Sequence, residues 1–411
     1  MEQIKNKRVL LVSQNFYPEN FKSNDIAFEL QKQGYHVTVL TGIPNYPQGK
    51  YYLGYGLFRK RIETINGVKI YRCLQIPRGK KYTKILLPLT YLSFMVFGSL
   101  WAFYLALFKR FDSILVHQVS PITQTLPAII VKKMQRKPLI LWVLDLWPDA
   151  FVSGSGINNR FIISLLDKYV DFSYKNSNKI LISSKGFRES VLEKTGNEQK
   201  ILYFPNWAEE SFFQRVQKPI PQLPDGFKIM LAGNLGVSQN LENIMYTALR
   251  LKDENVRWII LGDGSRKEWM EDFVSENLLE KSVFLMGKYP VETMAAFYEK
   301  ADIMLLSLNN KYDDLKKVVP ARLQSYMAAG KPVIGFIEGA AAEVISEAGC
   351  GYTISPDDVD GLVSIIKNIV SGDTQQLSVL GGNGKAYFDV NFTKQKCIGN
   401  LIEEIEGLIN I

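Results

Sequence analysis

The sequence predicts an α/β protein built from two doubly wound parallel-sheet domains. Two observations predict it: strand and helix patterns alternate in both halves of the 411-residue chain, and a proline-rich stretch separates the halves. In the first half, Arg8-Val-Leu-Leu-Val-Ser13 reads as a buried strand. Asp25 to Gln33, with Ile26, Ala27 and Leu30 on one face and Gly34 at its end, reads as a helix, and His36-Val-Thr-Val-Leu40 as the next strand. The second half opens the same way, with a strand over Phe227 to Gly233, a helix from about Leu241 and a strand over Val256 to Leu261. Pro219, Pro221 and Pro224 make Gln217 to Gly226 a stiff linker. The expected domains are therefore 1–215 and 226–390. A last helix, from about Thr393 to Leu408 within 391–411, follows, and the sequence leaves open whether it returns to the first domain.

The stretch Lys316-Lys-Val-Val-Pro-Ala-Arg-Leu-Gln-Ser-Tyr-Met-Ala-Ala-Gly-Lys-Pro-Val-Ile-Gly335 says most about function. Pro320 fits the first turn of a helix, Leu323, Tyr326 and Met327 share a face, and Gly330 and Pro332 stop the helix before a strand ending at Phe336. The start of such a helix offers unpaired N–H groups and the positive end of its dipole. Lys316, Lys317 and Arg322 add charge, so the combination suits a diphosphate. The competing reading is a solvated basic turn ahead of an ordinary core helix.

An apolar fraction of 46% with 22% charged residues is that of a folded globular protein, and 411 residues are too many for one ordinary core. The net charge of +8 favours phosphorylated small molecules, anionic lipid or nucleic acid without choosing among them. Cys73, Cys350 and Cys397 are too few and too scattered for a disulfide framework or a zinc site, which points to a reducing cytoplasm. Met1 to Asn15 leads into a short strand and does not read as a secretion signal.

Ile85 to Phe108 carries no charged residue and is long enough to cross a bilayer. Strands of one predicted sheet flank it on both sides, so it must return to the side it left. It is either a buried helix or an interfacial or re-entrant one. The basic flanks Arg78-Gly-Lys-Lys-Tyr-Thr-Lys84 and Lys109-Arg110, with Tyr91, Trp101 and Tyr104 suited to the interface, favour the second.

In open parallel sheets, ligands sit at the carboxyl ends of the strands. After the first strand, Gln14 to Asp25 leads into a helix with Asn24 or Asp25 as its N-cap. It lacks the glycine pattern of a dinucleotide site, so NAD and FAD are disfavoured. His117 ends the strand Ser113 to Val116 and reads as functional, against a packing role. Asp145-Leu-Trp-Pro-Asp149 follows another strand. It places two carboxylates and the Trp147 indole at its end, against a capped turn with Trp147 in the core. Gly233-Asn-Leu-Gly236 and Gly262-Asp-Gly264 each follow a strand and would let backbone approach a ligand. Asp358-Val-Asp360 reads as a helix cap, and no metal is assigned.

Together Tyr17-Pro-Glu19, Thr41 to Gly49, Asp145-Leu-Trp-Pro148, Pro205-Asn-Trp207, the two glycine segments and Gln324 to Pro332 carry a resemblance over nearly the whole chain. It resembles the retaining glycosyltransferases of family 4, with the GT-B fold of two facing Rossmann-like domains and a cleft between them. Within them it is most similar to bacterial surface-polysaccharide enzymes known as fucosamine or colanic-acid transferases. The resemblance implies metal-independent transfer, with retention, of a sugar such as an N-acetylated deoxyhexosamine. The donor would be a nucleotide-diphosphate sugar, UDP-linked, held in the second domain. The acceptor, a polyprenyl-diphosphate-linked saccharide, would meet the first domain at the cytoplasmic face of an anionic membrane surface, in capsule, O-antigen or exopolysaccharide synthesis. No cofactor and no nucleic acid are implied.

Two glutamates eight apart in many relatives would fall at Lys317 and Ser325, and the diphosphate-gripping Arg and Lys at Asn234 and about Gln239. The expected donor side is therefore Gly233, Asn234, Gln239, Gly262, Lys316, Lys317, Arg322, Gln324 and Ser325. His117 and Asp145 are the expected catalytic pair, with Asn24 and Trp147 on the acceptor side. The missing glutamates leave a catalytically silent partner in a polysaccharide assembly complex as an alternative. A nucleotide-sugar epimerase of similar architecture is another, which the apolar Ile85 to Phe108 disfavours.

Overall fold

The structure is a computed structural model describing residues 6–79, 86–208, 218–372 and 374–410. It divides into two compact units, Met1–Phe204 with Ile398–Ile411, and Pro205–Cys397. The division falls ahead of the proline-rich stretch expected to carry it. Lys80, Lys81 and Lys84 of the expected basic flank lie outside the described residues.

The first unit is an eight-stranded sheet of β1 (Arg8–Val12), β2 (His36–Gly42), β3 (Ile62–Ile65), β4 (Val68–Cys73), β5 (Ser113–Gln118), β6 (Leu139–Val143), β7 (Lys179–Ile182) and β8 (Ile201–Tyr203). Its order is β3-β4-β2-β1-β5-β6-β7-β8, parallel except for the β3–β4 edge pair. The helices are α1 (Lys22–Lys32), α2 (Leu86–Phe108), α3 (Thr125–Gln135), α4 (Asp149–Ser155), α5 (Arg160–Lys175) and α6 (Arg188–Thr195). Helices on both faces explain why β5 and β6 are buried along their full length.

The second unit is an all-parallel six-stranded sheet. Its strands are β9 (Phe227–Asn234), β10 (Val256–Asp263), β11 (Val283–Gly287), β12 (Ile303–Ser307), β13 (Val333–Phe336) and β14 (Gly351–Ile354), in the order β11-β10-β9-β12-β13-β14. Its helices are α7 (Leu241–Arg250), α8 (Lys267–Glu276), α9 (Met294–Lys300), α10 (Asp313–Lys317), α11 (Ala321–Ala328), α12 (Ala340–Ala348), α13 (Val359–Ser371) and α14 (Thr374–Asn391). The last helix, α15 (Lys394–Ile409), belongs mostly to the first unit, where Glu406 meets Lys7 and Tyr35 and Glu404 lies 3.4 Å from Lys179.

Each sheet has one place where the winding reverses: between β1 and β5 in the first unit and between β9 and β12 in the second. Strand ends diverge there and leave room for a ligand.

Helix α2 is neither a plain core helix nor an isolated one. Thr90, Ser93, Gly98, Ala102 and Ala106 face inward, and a Cβ on Gly98 would sit 3.1 Å from Pro127 of α3. These small side chains let the two helices close up. On the opposite side Leu89, Leu92, Val96, Leu100, Phe103 and Leu107, three and four residues apart, are 40–65% exposed. Tyr91 and Trp101 do not reach outward as expected. Tyr91 packs on Trp147 at 6.3 Å, and Trp101 packs on Tyr71 at 5.4 Å between ring centroids.

Candidate functional site

In the second unit, chemistry gathers at the winding reversal. Strand β9 pairs with β12 only through Ile229 and Met230, so the backbone of Ala232 is open on that edge. The Tyr326 hydroxyl of α11 fills it, accepting from Ala232 N at 3.2 Å and donating to Ala232 O at 3.3 Å. That hydroxyl pins the helix against the end of β9. Leu323, Tyr326 and Met327 are fully buried, which fixes the helix roll and brings Arg322 toward Gly233.

Gly233 and Gly262 are paired across β9 and β10, both with φ of +145°. A Cβ on Gly262 would lie 1.8 Å from Gly233 O, so this strand end closes only with glycine. A Cβ on Gly233 would meet Arg322 Nη1 at 3.0 Å. The Arg322 guanidinium donates to Ser307 O at 2.8 Å and to Gln239 Oε1, while its Nε and the Ser307 hydroxyl are buried without a partner. Burial lowers the Arg322 pKa from its ordinary value, but an arginine stays charged. Gly233, Asn234, Gln239 and Arg322 are thus brought together, with a desolvated cation beside open backbone.

Other expected donor residues are placed differently. Lys316 and Lys317 end a short helix of their own, α10, and Pro320 is the N-cap of α11 and not part of its first turn. Lys316 Nζ lies 3.1 Å from Glu338 Oε2, so its charge is already balanced. Glu338 also accepts from Ser355 Oγ at 2.7 Å; that bond, then Lys316, lowers its pKa. Gln324, expected on the donor side, is corrected to a core residue. It is fully buried, and the amide orientation that satisfies its surroundings has the nitrogen donating to the carbonyls of Pro320 and Ala321 at 3.1 and 3.0 Å. Ser325 is 9% exposed on the same helix. Asp358 caps α13, accepting from Gly361 N at 2.8 Å.

In the first unit, His117 ends β5 beside the end of β1. Its Nδ1 lies 3.2 Å from Ser13 Oγ, and that hydroxyl donates to Asn15 O at 2.7 Å. With its hydrogen committed there, Ser13 can only accept from the imidazole. This places the proton on Nδ1 and leaves Nε2 with its lone pair. The ring is 1% exposed, between Trp142 at 5.1 Å and Phe21 at 6.5 Å, and burial lowers its pKa to about 3. His117 is therefore a neutral hydrogen-bond acceptor, not a proton donor.

The pKa shift has a measurable consequence. The unfolded chain binds a proton here below about pH 6.5, whereas the native state does not until about pH 3, so stability falls as pH drops between the two. Chemical unfolding at pH 7 and pH 5 should show roughly 2 kcal/mol of loss from this group. His117→Gln should lose correspondingly less than the unmodified chain. Equal losses in both would show that the ring is protonated in the native state.

Ser120 Oγ donates to Asp145 Oδ2 at 2.7 Å and accepts from Trp147 Nε1 at 3.3 Å, so these two expected residues converge on the Ser120 hydroxyl. Trp147 is 5% exposed and packs as core, while Asp149 opens α4 on the surface. Asn24 is corrected: it lies inside α1, whose N-cap is Phe21. Its amide bridges Tyr17 N at 2.9 Å and Glu19 O at 2.6 Å, and so holds the loop.

Sequence reasoning gave Glu19 no role beyond its place in the Tyr17-Pro-Glu19 segment. Its buried carboxylate accepts from the backbone of Asn45 and Tyr46, each at 2.6 Å, and from Asn15 Nδ2 at 3.0 Å, which joins the loops after β1 and β2. Burial raises its pKa against those donors. Pairing with Asn45 and Tyr46 is long-range and left no local signal. Ser13 and Glu338 were missed too, although both lie just past strand ends.

The family described as "Glycosyl transferases group 1" matches residues 213–386. That match lies within the second unit. A putative colanic acid biosynthesis glycosyl transferase, WcaI of Escherichia coli K12, is 24% identical over 97% of this chain and 100% of that protein. Among solved structures, sucrose-phosphate synthase of Thermosynechococcus elongatus aligns with a TM-score of 0.72 at 14% identity, covering 99% of this chain and 100% of that one. Anabaena Alr3699/HepE in complex with UDP aligns at 0.69 and 14% identity, covering 98% and 100%. The two Rossmann-like sheets are those of the GT-B glycosyltransferases, and the chain is a glycosyltransferase related to polysaccharide-biosynthesis enzymes.

Proposed function

We propose that this glycosyltransferase moves a sugar from a UDP-linked donor to a polyprenyl-diphosphate-linked saccharide at the cytoplasmic face of the membrane. The observation that carries the donor side is the Arg322 guanidinium held beside Gly233, Gln239 and the start of α11. There N–H groups, the helix dipole and a fixed cation would neutralise a diphosphate without a metal. The Alr3699/HepE structure with UDP supports this choice of ligand. The exposed stripe of α2 supports a membrane acceptor, since lipid would cover what water does not favour.

Retention is the reading taken from the family 4 resemblance, and a fucosamine-type sugar from its polysaccharide branch. In a front-face transfer the leaving phosphate takes the acceptor's proton. His117, neutral with Nε2 as an acceptor, would then orient a hydroxyl of the sugar and would not protonate it. Lys317 and Ser325, standing where many relatives have glutamates, favour the silent-partner reading instead.

Incubation with a panel of UDP-sugars and a detergent-solubilised polyprenyl-diphosphate saccharide separates the two. Release of UDP with a product one sugar heavier, its new linkage keeping the donor's anomeric configuration by NMR, is the expected result. Binding of UDP-sugars with no product from any acceptor would favour the silent partner.

A further inference from the structure

The loop between β2 and β3 is built to hold two large apolar side chains in water. Leu53 is 102% and Phe58 96% exposed, yet the loop around them is well tied. The Tyr51 hydroxyl donates to Gln75 O and the Tyr52 hydroxyl to Tyr46 O, each at 2.7 Å, and Arg61 donates to Leu57 O at 2.8 Å and Arg72 O at 2.6 Å. Inward tyrosines anchor the loop while its leucine and phenylalanine point away from any core.

Lys50, Arg59, Lys60 and Arg61 flank this tip in sequence, and no carboxylate occurs from Lys50 to Arg61. Apolar tips with a collar of one sign match one surface in particular, a leaflet of anionic phospholipid, whose headgroups meet the collar while its acyl region takes the tips. The loop enters β3, whose partner β4 carries Tyr71 packed on Trp101 of α2.

We infer that the 50–61 loop is a second lipid contact, independent of the α2 stripe. This rests on the membrane reading above and deepens it. The loop leaves the carboxyl end of β2, the end of the sheet at which His117 lies. Two separated contacts fix an orientation that one cannot, and they bring that end of the sheet to the surface carrying the acceptor.

The test uses the full chain with Leu53→Cys labelled by an environment-sensitive fluorophore; Cys73, Cys350 and Cys397 are buried, so the label goes to the loop. Vesicles are phosphatidylcholine alone or mixed with phosphatidylglycerol. On the anionic vesicles the emission should shift to the blue and rise. Adding Arg59→Glu and Lys60→Glu should weaken binding at least tenfold, and Phe58→Ser should also weaken it. A chain that floats with vesicles while its label emits as in water would overturn the loop contact and leave the α2 reading standing. A chain that floats with neither vesicle overturns both. A shift that needs only higher protein concentration, without lipid, would make the tip a contact between copies and overturn the inference.

Discussion

Replacing Arg322 with Ala should cost at least tenfold in affinity for UDP. The guanidinium is fixed by Ser307 O and Gln239 before any ligand arrives, so it loses little freedom on binding a phosphate. A charge-assisted hydrogen bond contributes about 1.5–3 kcal/mol, which is roughly tenfold or more. Arg322→Lys should restore only part of the loss, because a lysine ammonium lacks the planar fork that holds Gln239 and the Ser307 carbonyl while keeping further N–H groups for a phosphate. Lys316→Ala should matter far less, since Glu338 already balances that charge. Calorimetric titration of the three variants gives the order directly. An affinity that falls for Lys316 and not for Arg322 would move the phosphate site toward α10.

Polar substitution of the outer α2 stripe has the other large expected effect. Leu92, Val96, Leu100 and Phe103 are 48–60% exposed, so Ser at all four leaves the α3 contact untouched and should not unfold the unit. Full burial of such side chains is worth about 1.5–3 kcal/mol each. Even partial insertion of four therefore predicts a fall of at least about a hundredfold in vesicle binding. Flotation with unmodified and substituted chains measures it. Equal flotation would show that α2 faces water on the membrane.

What the sequence made legible follows from how local each signal is. Parallel strands buried on both faces read as apolar runs, and β1, β5, β9 and β10 emerged close to where those runs lie. The start of α11 was legible because Pro320, Gly330 and Pro332 bracket it. Gln324 was misjudged because one-face periodicity assumes a solvent side. Residues 323–328 are all buried, with α14 closing over α11 where a Cβ on Gly384 would contact Met327 at 3.6 Å. The pairing of Lys316 with Glu338 joins the end of α10 to the segment after β13, which no local pattern encodes. In α2 uniform apolarity concealed the buried face. The spacing of its small residues, Thr90, Gly98, Ala102 and Ala106, was the signal that marks it.

The most direct measurement is titration of UDP against UMP into the unmodified chain and Arg322→Ala. A diphosphate site at Arg322 and α11 predicts that UDP binds much more tightly than UMP and that most of this advantage disappears in the variant. UDP and UMP binding alike, or an advantage for UDP that Arg322→Ala leaves intact, would contradict it.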